Sequence, residues 1–166
     1  TKEETKKVEV DLYQTALSAL INQASAYLMN GDIPKPLGSE HPSIVPYGHV
    51  FHTLDGAPIV LAIGTNKQFQ SLEKVLDLDQ DNSMFETNEK RVLHREQLIE
   101  LIKQRILTKR MSSLSRELKE AKIPFARVLR LDEVFNSKIA QKNILEENIE
   151  GRDCKSIQAS SFSISE

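Results

Sequence analysis

An α+β fold, with a small, mainly antiparallel sheet packed with helices and preceded by a long connecting helix, is predicted by two features. Apolar residues recur at helical three-and-four spacing over several long stretches, and two strand-like runs face each other across an Asp-Gly turn. The elements follow in the order α, loop, ββ, α, αα, β, α, β. Only the two runs beside the Asp-Gly turn are close enough for a direct hairpin, which favours a small antiparallel sheet.

Each element has its own signal. Tyr13, Leu17, Leu20, Ala24 and Tyr27/Leu28 form one stripe of a helix running from Val8 to Asn30, ended by Asn30-Gly31. Its other face carries Ala16, Ser18, Ala19, Asn22 and Ala26, small enough for a second backbone to approach, so two packing faces are expected. Residues 31–47 hold four prolines and two glycines, which excludes helix and predicts an extended, partly rigid loop. His49–Thr53 and Pro58–Gly64 are the hairpin strands. The second is apolar throughout and predicts cover on both faces, whereas the first alternates and predicts a place nearer an edge. Thr65-Asn66 supplies an N-cap for a helix over 67–76 with Phe69, Leu72, Val75 and Leu76 inward. A long helix is predicted over 88–110 through Val92, Leu98, Ile99, Leu101, Ile102 and Ile106. A further helix passes through Leu114, Leu118 and Ala121 and is stopped by Ile123-Pro124. Phe125–Leu131 reads as a strand, Asp132 as the cap of a short helix, and Lys155–Ser163 as a last polar strand.

The predicted organisation is a loose start (1–7), a connecting helix and Pro-rich loop (8–47), a small α+β domain (48–140) and a return linker (141–166). The 166 residues suffice for one core, not two. Lys plus Arg at 22 against Asp plus Glu at 24 leaves a net charge of -2 without blocks of either sign, which argues against nucleic acid as a partner. The single cysteine, Cys154, has no internal partner for a disulfide, and no apolar run is long enough for a bilayer, so a cytoplasmic protein without membrane association is expected. The chain opens on Thr1 without an initiator methionine, which reads as a cleavage boundary.

Candidate chemistry is sparse. Asp77-x-Asp79-x-Asp81 opens like a calcium loop, but Asn82 stands where the sharp turn needs Gly and Asn88 where a bidentate Glu closes the site. His49 and His52 are three apart on a strand and point to opposite faces, so no metal site is expected there or elsewhere. Gly64 before the Asn66 helix offers N–H groups to an anion, although a plain strand-to-helix turn is the better reading. Lys103, Arg105, Lys109 and Arg110 make one helix end basic, which suits the helix dipole. Each aspartate has a turn, cap or loop explanation, so the residues themselves name no nucleophile.

An ordered set of short motifs is more informative. These are Val8-Glu9-Val10-Asp11-Leu12-Tyr13, Gly38-Ser39-Glu40-His41-Pro42-Ser43-Ile44-Val45-Pro46-Tyr47, Thr53-Leu54-Asp55-Gly56, Ile63-Gly64-Thr65-Asn66-Lys67-Gln68-Phe69, Asn88-x-x-Arg91-x-x-x-Arg95, and Ala121-Lys122-Ile123-Pro124 running on to Glu133-Val134-Phe135. In this order they resemble the small domain of family III CoA-transferases, the CaiB/BaiF family. The resemblance implies a larger enzyme in which this small domain interrupts a Rossmann-like domain, two subunits interlocking as a homodimer. It implies transfer of CoA from an acyl-CoA to a carboxylic acid through intermediates on an aspartate. That aspartate would lie upstream of this chain, leaving the chain alone inactive and without catalytic residues of its own. It implies no tightly bound cofactor, with coenzyme A thioester as substrate. His41, Pro42, Ser43, Tyr47, Gly64, Asn66 and Gln68 would be the residues near substrate and CoA, helping to exclude water. Racemases of 2-methylacyl-CoA share the fold but place an acidic residue just before the Gln-Phe pair, where this chain has Thr65-Asn66-Lys67. The racemase, and a stand-alone module for binding or assembly, are the alternatives to the transferase.

Overall fold

The computed structural model describes residues 8–78 and 83–158 and divides the chain into two units, 1–38 and 39–166. In the first, Asp11 caps α1 (Leu12–Ala19) by accepting the Gln14 N–H at 2.8 Å, and α2 (Ile21–Asn30) ends on Gly31 at φ 75°. The continuous helix expected over 8–30 is therefore broken at Leu20. That residue has ψ 8° and donates to Leu17 O at 3.1 Å, one tight turn before the helix resumes. Neither helix contains a buried residue.

The second unit is built on the antiparallel sheet β1 (Tyr47–His52), β2 (Pro58–Ala62) and β3 (Phe125–Arg127), in the order β1-β2-β3. β1 is an edge strand, as its alternation predicts. β2 is central, but only Ile59 and Leu61 are buried while Pro58, Val60 and Ala62 are half-buried. The expectation of full cover on both faces is corrected: helices seal one side of the sheet.

Those helices are α3 (Asn66–Leu76), α4 (Asn88–Leu93), α5 (Arg95–Ile106) and α6 (Met111–Glu120). Phe69, Leu72 and Leu76 of α3, Leu98, Ile102 and Ile106 of α5, and Met111, Leu114 and Leu118 of α6 meet Phe51, Ile59, Leu61 and Ile63 in one core. Their spacing of three and four is the helical stripe seen in the sequence, and each fully buried aliphatic side chain contributes roughly 1.5–3 kcal/mol. Val75, Val92, Ile99, Leu101 and Ala121 pack at its margin. The long helix predicted over 88–110 is interrupted at His94, whose ψ of 32° separates α4 from α5.

The sheet and helices are fastened at the hairpin turn. Thr53 Oγ1 donates to Asp55 Oδ1 at 2.6 Å and accepts from the Ala57 N–H at 3.2 Å. The same Asp55 oxygen accepts the first helical N–H of α6, that of Met111, at 2.9 Å, and Leu54 N–H donates to Lys109 O at 2.9 Å. The Thr-Leu-Asp-Gly turn thus caps a helix that begins 56 residues later. These bonds hold the Asp55 carboxyl below its ordinary range, the Thr53 hydroxyl contributing most and the Met111 N–H next.

Beyond β3 come α7 (Leu131–Phe135), α8 (Lys138–Gln141) and a second hairpin of β4 (Ile144–Ile149) and β5 (Arg152–Ile157). Asp132 is not the cap of α7 as predicted. Arg130 holds that position, its N–H donating to Glu133 Oε2 at 2.9 Å, while Asp132 pairs with the Arg130 guanidinium at 3.1 Å. α8 and β4 were not foreseen, and the last strand begins at Arg152 and ends at Ile157 within the described residues. Glu150 and Gly151, at φ 51° and 83°, make the two-residue turn between β4 and β5. Among the described residues no helix is long and apolar enough to cross a membrane.

Replacing Asp55 with Ala is expected to lower the thermal midpoint, because the Met111 N–H loses its acceptor and the Thr53 hydroxyl loses the nearer of its two, keeping only Ala57 O at 3.2 Å. Asp55→Asn keeps an oxygen at the same place and should retain most of the midpoint; scanning calorimetry of the two variants gives the comparison.

Candidate functional site

The segment 39–47 crosses the surface ahead of β1 with Pro42 and Pro46 unable to donate, so its carbonyl groups outnumber its N–H groups. Side chains of α4 and α5 satisfy them in turn. Asn88 donates from Nδ2 to Ser43 O at 2.7 Å and accepts the Val45 N–H at Oδ1, 3.2 Å away, as a neighbouring strand would. Arg91 donates from Nε to Val45 O at 2.9 Å. Arg95 donates from Nη2 to His41 O at 2.9 Å and to Pro42 O at 2.8 Å, and from Nη1 to Glu40 at 3.0 Å. The Asn-x-x-Arg-x-x-x-Arg spacing therefore lays three side chains along one stretch of main chain.

Arg91 does more than hold the loop. Only 1% exposed, it also donates from Nη1 to Phe85 O at 3.0 Å and Glu86 O at 3.3 Å, donates from Nη2 to Asn66 Oδ1 at 2.9 Å, and stacks 4.4 Å from the Phe69 ring centroid. Burial pushes its pKa down against the opposing charges of Glu73 and Glu89, and burial pushes the Glu73 carboxyl up against the charge of Arg91. Neutral carbonyls supply most of the guanidinium's hydrogen bonds, which is how a buried cation is tolerated without a direct carboxylate partner among the described residues.

The other end of the loop is fixed by Glu40, which faces His49 Nδ1 at 2.7 Å as well as Arg95. Burial raises the Glu40 pKa, but the hydrogen bonds and charges of His49 and Arg95 outweigh it and hold the carboxyl below its ordinary 4.5. Gly48 at φ 85° passes so close to Ser39 that a Cβ would lie 2.1 Å from its carbonyl oxygen. No side chain fits there.

Of the residues singled out in the sequence, His41, Pro42, Ser43 and Tyr47 lie together on this clamped segment. Pro42, Ser43 and Tyr47 are exposed and His41 half-buried. The His41 ring meets the Tyr47 ring edge-on at 5.6 Å, and the His41 N–H donates to Tyr47 O at 3.0 Å. Gly64, Asn66 and Gln68 sit at the start of α3 behind it, joined through the bond from Ile63 N–H to Pro46 O at 3.2 Å and through Arg91. There Gln68 Oε1 accepts the Gly64 and Thr65 N–H groups at 2.9 and 3.1 Å, and Thr65 Oγ1 accepts the Gln68 N–H at 3.2 Å. The N–H groups weighed as an anion site are thus used in a capping box. Of the basic residues at the α5 terminus, Lys103 pairs with Glu100 at 3.1 Å and Lys109 with Glu117 at 2.6 Å. Asp79 and Asp81 of the candidate calcium loop lie outside the described residues; among those described, no group of three or more His, Cys, Asp or Glu is placed to hold a metal. Glu40 and His49 went unrecognised as part of the loop's support.

A small antiparallel sheet sealed by helices on one face, with a loop gripped by side chains of α4 and α5, defines a protein of mixed α+β class. The chain belongs to the CoA-transferase family III, whose model matches residues 1–165. It is 32% identical over 130 residues to succinyl-CoA:glutarate CoA-transferase of Homo sapiens, covering 77% of this chain and 29% of that protein. With succinate–glutarate CoA-transferase of Agrobacterium fabrum it shares 28% identity over 152 residues, 90% of this chain and 38% of the relative. A CAIB/BAIF family protein from Brucella suis superposes with a TM-score of 0.68 at 25% identity, over 96% of this chain and 42% of that one. Rv3272 of Mycobacterium tuberculosis, at 18% identity and TM-score 0.70 over 94% of this chain and 41% of that one, shares the fold. The chain spans roughly three to four tenths of the length of these relatives.

Two outcomes follow from the clamp. Arg91→Ala should cost at least about 1–3 kcal/mol in urea denaturation, since it strands buried carbonyls, and Arg91→Lys should recover only part because an ammonium cannot reproduce the fork. Glu40 has a depressed folded pKa, so its contribution is present above its ordinary pKa and is lost as pH falls through the folded value. Glu40→Gln should therefore be less stable than the parent at neutral pH, with the two thermal midpoints converging as pH falls through the depressed folded pKa of Glu40.

Proposed function

We propose that this chain is the small domain of a CoA-transferase that moves coenzyme A from an acyl-CoA to a carboxylic acid, and that its 41–47 loop covers the reacting acyl group. The observation that carries this reading is the clamp of Asn88, Arg91 and Arg95, which spends three side chains to hold in one course a loop on which Pro42, Ser43 and Tyr47 are exposed. A scaffold of this kind suits a lid that must exclude water, because anhydride and thioester intermediates are lost to hydrolysis when water reaches them. The names of the relatives, succinyl-CoA:glutarate CoA-transferase among them, support short dicarboxylic acids as the acceptor class and a succinyl thioester as one donor.

In this reading His41, Pro42, Ser43 and Tyr47 face the substrate, and Gly64, Asn66 and Gln68 support them through the α3 cap and Arg91. The nucleophilic carboxylate comes from outside this chain. That is consistent with the posts held by four of its aspartates: Asp11 caps α1, Asp55 caps α6, Asp132 pairs with Arg130 and Asp153 accepts from Asn148. The thioester is a substrate, with no tightly bound cofactor, and the full-length enzyme works as a cytoplasmic homodimer.

The test compares the full-length protein with this 166-residue chain, using succinyl-CoA and glutarate and following glutaryl-CoA by chromatography. Turnover by the full-length protein and none by the chain is the expected result; turnover by the isolated chain, or none by the full-length protein with any short dicarboxylate, sinks the reading.

A further inference from the structure

We propose that His41 is a hydrogen-bond donor of fixed tautomer, presenting a neutral Nε2–H to an acyl or carboxylate oxygen of the substrate; the proposal rests on the loop reading above. The Ser43 backbone N–H donates to His41 Nδ1 at 3.1 Å. A backbone N–H only donates, so Nδ1 must offer its lone pair, and in a neutral imidazole the single proton then resides on Nε2. No described residue accepts from Nε2, and it is not among the buried polar atoms lacking a partner, so it remains accessible.

The ring is held as well as protonated in one way. The backbone N–H of His41 donates to Tyr47 O, its backbone carbonyl accepts from Arg95, and the ring plane meets the Tyr47 ring at 67°. His49 shows the opposite arrangement nearby: its Nδ1 faces the Glu40 carboxylate at 2.7 Å and therefore carries a proton. Two histidines eight residues apart thus have their Nδ1 atoms set to opposite roles, one accepting from a backbone N–H and one donating to a carboxylate.

The chemical consequence is a choice of role. A general base at Nε2 needs the lone pair that this tautomer withholds, whereas an uncharged N–H suits a carbonyl oxygen that gains charge as a nucleophile adds to it. In acyl transfer such a donor steadies the oxyanion without itself gaining or losing a proton.

Two measurements decide the matter. The first is the two-bond 1H–15N correlation spectrum of this chain near neutral pH, His41 being assigned among the four histidines by the pattern lost in His41→Gln. The proton is expected on Nε2, with Nδ1 in the unprotonated range; a proton on Nδ1 overturns the proposal whatever the enzyme does. The second is the kinetics of the full-length protein, in the assay above, with His41→Gln, His41→Asn and His41→Phe. Gln places an N–H near the Nε2 position, Asn near Nδ1, and Phe nowhere, while the backbone bonds of residue 41 persist in all three. The Phe and Asn variants should lose roughly 10²-fold in kcat, the scale for one oxyanion donor, and Gln should recover at least about ten-fold of it. A Gln variant as slow as Phe, with the acid limb of the pH–rate profile gone, makes His41 a base and overturns the proposal. Wild-type rates in all three, with the tautomer as stated, place the loop away from the reacting atoms and overturn it through the loop reading instead.

Discussion

The second unit depends on one buried guanidinium. Arg91 bonds to the loop at Val45, to the turn at Phe85 and Glu86, to the start of α3 at Asn66, and lies over Phe69 in the core. These segments are brought together by a group with fixed planar geometry, so their relative positions are set by covalent angles rather than by adjustable side-chain packing. The interior it occupies would reject a lone cation; the converging carbonyl dipoles make it acceptable. Loop, turn and helix cap are consequently a single cooperative assembly.

A second long-range fastening complements it. The Asp55 carboxylate closes its own hairpin and caps α6, so the turn between two strands also fixes where a helix begins. Arg91 and Asp55 fasten different segments around the one core that contains Leu98, Ile102, Leu114 and Ile59. Apolar burial supplies most of the stabilisation, whereas the polar pair supplies direction.

Much of this was legible in the sequence. The helical stripes of α3, α5 and α6, the Asp-Gly hairpin and the edge position of β1 follow from periodicity and turn chemistry alone, because each is a local property. The breaks at Leu20 and His94 were not, since neither residue is a helix breaker and single tight turns leave the apolar period nearly unchanged. The β4–β5 hairpin was hidden because Glu146, Glu147, Asp153 and Lys155 lack the apolar alternation of a packed strand, and its turn is Glu-Gly rather than Asn-Gly or Asp-Gly. For the candidate site, the residues on the 41–47 segment could be named from the order of motifs, but not what holds them. Asn88, Arg91 and Arg95 stood out as a spacing without an evident purpose; only the three-dimensional path shows that they run along the loop's carbonyls.

The clamp grips the loop almost wholly through main-chain atoms: the carbonyls of His41, Pro42, Ser43 and Val45 and the N–H of Val45. Side chains at 41, 43 and 44 are therefore free to be exchanged without loosening it. Evolution can rewrite what the loop displays while inheriting where it sits, on a frame that never has to be rebuilt.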